Sequence, residues 1–441
     1  TIVISSLVMQ VNAQSSAPRR ITVDPSSTTN SGTSFSTIKM AVDSARNGDT
    51  VLVSEGTYKE KVFFNSNYSS KKLVFASLYL IDGDTSHISK TVLSGAGVTQ
   101  NNANTDNLFR VTGNNRDSTY FQMIGFTVDS ASKWALDIEG GLVRNCILKN
   151  SGSLSSIPFF FRGTKIRNTT VFNNIGVSVF AFQLIGTDAP FSVESSLFYN
   201  NRAVSSNTEN DSRGGPWNSQ GLGGIIYAER IKGKIKNNIF YNNSGDQILT
   251  SGGDELRDTI EVVNNTFYKN NTKTAYFINW WGGFENSMFA TYWYNNIIDN
   301  NFDKSTRNTN SEFAWGDGGN NGKPSNYFFK NNLLAQEISR NSGLSNFSSS
   351  FTFNYDTASH IIGSAQFVDT SIANLNFALK NTSAGIGAGI SSLSLAKDYK
   401  GFVRPNPAGT TIDMGAIESQ LQYPIPQIVN LQNTVSSSKN A

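Results

Sequence analysis

Cysteine, histidine and charged residues are all scarce in this chain of 441 residues. The one cysteine, Cys146, excludes a disulfide framework within the chain, and its position inside a repeat predicts a small buried side chain. The two histidines, His87 and His360, leave little for a histidine-based zinc site. Charged residues make up 16% of the chain, the formal net charge is +3, and no block of Lys or Arg stands out, which argues against a nucleic-acid partner.

The two ends of the chain differ in composition from the rest. Residues 1–14, TIVISSLVMQVNAQ, form a short apolar run that favours a secretory leader over a first β-strand. No other stretch reaches the roughly eighteen apolar residues of a membrane span. Residues 419–441 are polar, contain two prolines and predict a linker or tail. The sequence therefore predicts a secreted or surface-held protein in which residues 20–418 form the folded domain.

Asparagine, by contrast, occurs 52 times, and much of it belongs to a recurring motif. The stretch IKNNIFYNN at 235–243 returns as VVNNTFYKNN at 262–271 and as WYNNIIDNN at 293–301. Successive copies lie 24 to 42 residues apart, which is typical of solenoid repeats with loops of variable length. The second residue of the pair, or its equivalent, is Asn145, Thr169, Ser196, Asn238, Asn265, Asn296 and Asn332.

The residues three before and two after each of these positions are apolar in every copy, as Ile235 and Phe240 are. Side chains on one face of a strand recur every two positions, so an inward pair five residues apart requires a bend between them. Asparagine tolerates the left-handed backbone of such a corner, and stacked asparagines can form ladders along the axis. The motif predicts one corner of one coil of a β-solenoid. An earlier coil fits with Phe121 and Phe126 as the inward pair and Ile124 at the corner.

Helical periodicity is confined to the segment SFSTIKMAVDSARNGDTVLV. Ile38 and Val42 share a helical face, Ser36 is the expected N-cap, and Gly48 ends the helix before a strand at 50–53. A helix in front of a solenoid is a natural cap, because the first coil would otherwise expose its core and an unpaired edge.

These segments carry a family resemblance. GTSFSTIKMAVDSARNGDTVLVSEGTYKEKVFF and TVLSGAG resemble the entry of the pectin lyase-like right-handed parallel β-helix superfamily. DYKGFVRPNPAGTTIDMGAIES resembles the closing motif of bacterial secreted β-helix proteins of the choice-of-anchor Q type. The resemblance implies an all-β, single-stranded right-handed parallel β-helix with an N-terminal capping helix. It also implies an extracellular protein that handles an extended carbohydrate along one sheet, without defining the reaction.

Two charged stretches, YAERIKGK and SGGDELRDTIE, carry the residue types that a polysaccharide lyase of this fold needs. Elimination next to a uronate requires its carboxylate to be neutralised, often by calcium, and a Lys or Arg to take the proton. Arg230 and Arg257 both precede their asparagine by eight residues, which predicts stacked neighbours. The candidate bases are Arg230, Lys232 and Arg257, and the candidate calcium ligands are Glu229, Asp254 and Glu255. The alternative is a solvated face of paired charges.

Tryptophans supply candidate sugar-stacking residues. Trp280 and Trp281 are consecutive, so one of them faces outward on a strand, and Trp315 lies in the next repeat. Trp217 lies in a Gly, Ser and Asn-rich stretch that predicts a long loop, whereas Trp293 fits the core. The alternative for Trp280 and Trp281 is packing beneath a loop.

Two functions follow as hypotheses. The first is pectate-lyase-like elimination on an extracellular acidic polysaccharide, with calcium. The second is a non-catalytic carbohydrate-binding or adhesion module at the cell surface. A lyase predicts one compact cluster of Lys or Arg with carboxylates in an open groove, whereas an adhesin predicts paired charges on a flat or loop-covered face. The sugar, the oligomeric state and the presence of catalysis are left open by the sequence.

Overall fold

The computed structural model describes residues 17–65, 72–100, 106–112, 120–183, 189–204, 223–229, 231–253, 259–280, 289–301, 314–317, 325–335, 339–340, 351–356 and 359–420. In these ranges the chain visits three parallel sheets in turn and then returns to the first. The chain is therefore a parallel β-helix, as the asparagine repeat predicts. Connections between neighbouring parallel strands are right-handed in nearly all known proteins, and we assign the coil that sense.

Strands are numbered in chain order. The strands of the first sheet are β1 (Arg20–Val23), β2 (Ser34–Phe35), β3 (Thr50–Val53), β6 (Leu73–Ser77), β9 (Phe121–Ile124), β12 (Leu142–Arg144), β15 (Lys165–Arg167), β19 (Phe191–Glu194), β23 (Gly233–Lys236), β26 (Thr259–Val263), β29 (Phe289–Tyr294), β32 (Ser325–Lys330) and β35 (Phe351–Tyr355). Those of the second sheet are β4 (Gly56–Tyr58), β7 (Thr91–Ser94), β10 (Thr127–Asp129), β13 (Ile147–Lys149), β16 (Thr170–Phe172), β20 (Leu197–Tyr199), β24 (Ile239–Tyr241), β27 (Thr266–Tyr268), β30 (Ile297–Asp299), β33 (Leu333–Leu334) and β36 (Ile361–Ile362).

The strands of the third sheet are β5 (Val62–Asn65), β8 (Phe109–Thr112), β11 (Leu136–Glu139), β14 (Phe159–Arg162), β18 (Phe180–Gln183), β22 (Gly224–Glu229), β25 (Ser244–Gly253), β28 (Asn271–Trp280), β31 (Ala314–Asp317) and β34 (Ser339–Arg340), with β17 (Ile175–Gly176) and β21 (Arg202–Ala203) beside them. An antiparallel hairpin of β37 (Phe367–Asp369) and β38 (Asn376–Leu379) follows the coils. The helices are α1 (Ile38–Ser44), α2 (Tyr79–Asp82) and α3 (Ser86–Lys90). No helix among the described residues is long and apolar enough to span a membrane.

The corner between the first and second sheets has the predicted asparagine geometry. The first residue of each pair has a left-handed backbone, as in Asn237 and Asn264, both with φ of 55°. The second points inward and forms a ladder, in which Asn238 Nδ2 donates to Asn265 Oδ1 at 3.0 Å. A second corner, between the second and third sheets, carries an equal ladder that the repeat analysis did not predict. Its members are Asn174, Asn201, Asn243, Asn270 and Asn301.

The predicted frame is wrong for the two earliest copies. Strand pairing aligns Asn145 with the first residue of the later pairs, so Cys146 occupies the ladder position and the inward residues are Val143 and Leu148. One coil earlier, Phe126 occupies the ladder position that the frame gave to Ile124. Both errors arise because an apolar or sulfur-containing side chain replaces the asparagine, which removes the marker of the corner. The remaining inward pairs are confirmed.

Helix α1 caps the first coils as predicted, and Ile38, Ala41 and Val42 are buried. The N-cap is Thr37 rather than Ser36, since the Thr37 hydroxyl accepts from Met40 N at 3.3 Å. The Glu60 carboxylate accepts from the first two helical N–H groups, each at 2.9 Å, which complements the positive end of the helix.

The segment after β36, which we call the buttress (residues 363–419), packs on the outer face of the second sheet. Its apolar residues, including Phe377 and Met414, bury Ile239 and Ile297 from outside the coil. The outward asparagines of the first corner hold it in place; Asn237 Nδ2, for example, donates to Lys397 O at 2.6 Å. The buttress therefore covers strands β20 to β33 of the second sheet and closes this part of the sheet to a ligand.

Candidate functional site

The structure describes part of the predicted site. Trp217, Arg230, Asp254, Glu255, Arg257 and Trp281 lie outside the described residues. The assignments of these six residues stay predictions.

Glu229 and Lys232 both lie where the third sheet passes into the first. Glu229 is half-buried at the end of β22, and Lys232 is exposed just before β23. On the next coil, Gly252 pairs with Glu229 and Ile260 pairs with Gly233. The two charged stretches predicted to be neighbours therefore belong to consecutive connections at this edge of the solenoid.

Trp280 and Trp315 are placed by their backbones alone. Trp280 pairs with Gly253 at the end of β28, at the same edge as Glu229. Trp315 pairs with Tyr276, which continues the register of Leu249 and Ile226 on the preceding coils.

Four polar residues form a row on the third sheet along this edge, which we call the edge row. Its members are Glu139, Arg162, Gln183 and Glu229, one from each of four successive strands. Arg162 Nη1 lies 3.0 Å from Glu139 Oε1, and Gln183 Nε2 donates to Glu229 Oε2 at 3.0 Å. The row presents carboxylate and amide groups that can bind sugar hydroxyls.

Arg162 is the best-held residue of the edge row. Its Nη1 donates to Asp137 Oδ1 at 2.6 Å, and its guanidinium lies 4.4 Å from the centre of the Phe160 ring. Arg110 Nε approaches the other oxygen of Asp137 at 3.3 Å. The Asp137 side chain is 8% exposed and that of Arg162 is 11% exposed. Two arginines and two carboxylates are thus held rigidly by mutual pairing, which suits recognition of a ligand better than proton transfer.

Part of the third sheet's outer face is covered. Trp134, Ile157, Phe160, Ala181 and Tyr227 form a buried apolar cluster outside the coil. The cluster occupies the outward-facing positions nearer the start of the strands. The edge row occupies the last outward-facing position of each strand. In strands β14 to β22 the accessible part of the outer face is therefore the strip along the edge with the first sheet.

Two short connections make this edge tight. Residues 140–141 join β11 to β12, and residues 163–164 join β14 to β15. Gly141 has φ of +97°, and a Cβ there would lie 2.4 Å from Phe121 O, so only glycine fits. The tight turns bring the edge row next to the outer face of the first sheet.

That outer face is basic. In strands β12 to β26 its outward charged residues are five cations and two anions: Arg144, Lys165, Arg167, Lys234, Lys236, Glu194 and Glu261. Glu194 pairs with Arg167 at 3.0 Å, and Glu261 pairs with Lys236 at 2.6 Å. Lys236 also donates to Leu393 O of the buttress and is buried, and Lys234 Nζ lies 4.0 Å from Glu261 Oε1. Cations still outnumber anions on this face, so a polyanion would be attracted to it.

The edge row and the basic face are not among the sites predicted from the sequence. Glu139 and Arg162 precede their ladder residues, Cys146 and Thr169, by seven positions, whereas Arg230 and Arg257 precede theirs by eight. The interval that relates the two arginines therefore does not lead to the edge row in the earlier coils. Within the described ranges no group of three or more His, Cys, Asp or Glu side chains is placed to hold a metal ion.

Comparisons with known proteins give distant structural likenesses. No family model matches the chain. No curated protein matches it. Among solved structures, pectate lyase Pel9A is 14% identical, with a TM-score of 0.47 over 91% of this chain and 97% of that one. A pectin methylesterase from Aspergillus niger is 13% identical, with a TM-score of 0.33 over 78% and 93% of the two chains. A mannuronic acid specific family 6 polysaccharide lyase from human gut microbiota is 12% identical, with a TM-score of 0.31 over 76% and 91%.

Proposed function

We propose that the protein binds an extended acidic polysaccharide along the edge between its third and first sheets. The observation that carries this proposal is the basic outer face of the first sheet, where five cations outnumber two anions although the whole chain carries a net charge of only +3. Charge of one sign concentrated on one face attracts a ligand of the opposite sign.

The solenoid geometry suits a long ligand rather than a small one. Neighbouring parallel strands lie about 4.8 Å apart, so side chains in one column repeat at that interval along the axis. Lys165, Ser192 and Lys234 are in register on three successive strands, which separates the two ammonium groups by about two strand spacings. A chain with carboxylates at regular intervals can contact several such positions at once. The edge row supplies adjacent groups for its hydroxyls.

The test is binding of the protein to polygalacturonate and alginate, compared with an uncharged glucan, by calorimetry at low and at high salt. A contact between unit charges about 4 Å apart is worth about 1 kcal/mol in water. The double variant Lys165→Gln, Lys234→Gln loses two such contacts and should therefore bind the acidic polymers about thirtyfold more weakly. Lys380→Gln removes an exposed lysine of the buttress and is the matched control. Equal binding by both variants, or equal binding to the uncharged glucan, contradicts the proposal.

β-Elimination at the same edge is the second candidate function. The observation that favours it is the strand register, which makes the connections containing Arg230 and Arg257 consecutive. Arg230, Lys232 or Arg257 would take the proton next to the uronate carboxylate. Glu229, Asp254 and Glu255 offer the oxygen ligands that calcium prefers, and bound calcium would neutralise that carboxylate.

Elimination is tested by the ultraviolet absorbance of unsaturated uronate products, with calcium and then with a chelator. A rise that depends on calcium and disappears in Arg257→Ala or Arg230→Ala supports a lyase. Binding without any rise on polygalacturonate, alginate or chondroitin removes the lyase hypothesis and leaves a carbohydrate-binding module.

A further inference from the structure

The first asparagine ladder ends on a histidine. In successive coils the backbone N–H of the ladder residue donates to the next Asn Oδ1, for example from Asn296 to Asn332 at 2.9 Å. At the last described coil the N–H of Asn332 donates instead to Nδ1 of His360 at 3.2 Å. His360 thus provides the acceptor that an asparagine provides elsewhere.

The other ring nitrogen defines the protonation state of this histidine. His360 Nε2 lies 3.1 Å from the carbonyl oxygen of Phe329, which can only accept. Nε2 therefore carries a proton, and Nδ1 keeps the lone pair that receives the N–H of Asn332. The neutral ring satisfies both bonds. In the imidazolium ion Nδ1 would also carry a proton, and this N–H would face the N–H of Asn332 with no acceptor between them.

The surroundings favour the neutral ring. Burial lowers the pKa of His360, while the bonds to Phe329 and Asn332 and the nearby Asp356 carboxylate act in the opposite direction. The ring lies 4.8 Å from that of Phe329, which is buried in the core of the coil. Strand β32 packs beside His360, and its charged residue is Lys330. Lys330 lies in the outward-facing column of the first sheet.

His360 also lies where the chain leaves the solenoid. β36 follows it directly, with Ile361 N donating to Asn332 O at 3.0 Å and Gly363 N donating to Leu334 O at 2.7 Å. The buttress then begins, and Ala365 N donates to Asp299 Oδ2 at 2.8 Å. A change at His360 therefore acts on the junction between the coils and the buttress.

We propose that His360 is an acid-sensitive end of the asparagine ladder, and that protonation of its ring breaks the bond from Asn332 and opens the last coil. The sign follows from the lowered pKa. The ladder bond contributes stability above the ordinary pKa of histidine, and that contribution is lost as pH falls through the ordinary value toward the lowered one. The inference does not depend on the proposed carbohydrate ligand.

The test is amide hydrogen exchange in peptides covering residues 329–335 and 359–365, expressed as protection relative to unstructured peptides. Protection should fall about tenfold or more between about pH 8 and about pH 5. His360→Asn should keep its protection at both pH values, because an asparagine Oδ1 accepts this bond at the four preceding steps of the ladder and does not titrate. Asp356→Asn should keep the pH dependence, which separates His360 from its acidic neighbour.

Unchanged protection in the natural protein, or an equal fall in His360→Asn, overturns the proposal. A second measurement covers the case in which His360→Asn does not fold. The chain has two histidines, so the ring protons of His360 can be followed by NMR once His87→Gln has assigned the other pair. Titration of His360 at or above the ordinary pKa of histidine also overturns the proposal.

Discussion

The side-chain amide of Asn243 donates to Asn270 Oδ1 and to Phe198 O, both at 2.9 Å, while its own Oδ1 accepts from the backbone and side chain of Asn201. One buried side chain thus connects three consecutive coils. Asn201, Asn243 and Asn270 are buried, and each partner of Asn243 loses its hydrogen bond if the amide is removed.

Asn243→Ala should destabilise the protein by about 3 kcal/mol or more, because each buried polar group left unpaired costs about 1–3 kcal/mol. Urea denaturation measures the loss. Asn242→Gly is the matched control, since Asn242 is the exposed neighbour with φ of 51°, which glycine adopts freely. Equal losses in the two variants would contradict the structural role of the ladder.

Gly141→Ala should destabilise the tight edge beside the candidate site. The substitution combines a positive φ with a Cβ 2.4 Å from Phe121 O, and we expect a loss of about 2 kcal/mol or more. Gly409→Ala has a similar φ of +86° with nothing within 4 Å of the new Cβ, so it isolates the cost of the backbone conformation. Thermal unfolding of the two variants gives the comparison. If Gly141→Ala unfolds at a temperature no lower than that of Gly409→Ala, the close approach to Phe121 O is unimportant.

Cys146 should be unreactive in the folded protein. Burial raises the pKa of the Cys146 thiol to about 11, so the reactive thiolate is scarce at neutral pH. A thiol reagent should label the chain only when denaturant is present. Labelling of the native protein at the rate of a free thiol would show that the ladder position is open to solvent.

The buttress should lose stability as pH rises. Burial raises the pKa of Glu418 from 4.5 to about 7, against the effect of Arg404, whose Nη1 lies 2.8 Å from Glu418 Oε2. A carboxyl group whose pKa is raised on folding contributes stability that is present below its ordinary pKa and lost as pH rises through the raised value. Glu418→Gln cannot titrate. The unfolding free energy of the natural protein, relative to that of Glu418→Gln, should therefore fall between about pH 5 and about pH 8. A constant difference would contradict the raised pKa.

Much of the coil could be predicted from local sequence. An inward pair five residues apart, such as Val262 and Phe267, requires a bend, and the asparagines between them tolerate the backbone that the bend needs. The capping helix was predictable for the same reason, since Ile38 and Val42 repeat at helical spacing. The frame failed only where Cys146 and Phe126 replace the ladder residue. The second ladder was missed because its asparagines were not tested for a corner of their own.

The candidate site was less predictable. The phase of Glu229 and Lys232 could be counted from Asn238, and the two residues lie at the end of β22 and just before β23. The pairing of Arg162 with Asp137 and of Gln183 with Glu229 could not be counted in this way, since the partners are 25 and 46 residues apart and different loops intervene. Carbohydrate binding, calcium and elimination stay predictions for experiment.

The sequence by itself determined the coil, its corners and its inward residues, because alternation along a strand and a left-handed corner are local properties of a few neighbouring residues. Only the tertiary structure decided which charges meet, how the buttress covers the second sheet, and which faces stay open. Asn237 shows the difference: its backbone follows from its place in the pair, but its side chain binds Lys397 O, 160 residues away. Contacts of that kind depend on how the coils and the returning chain pack in three dimensions.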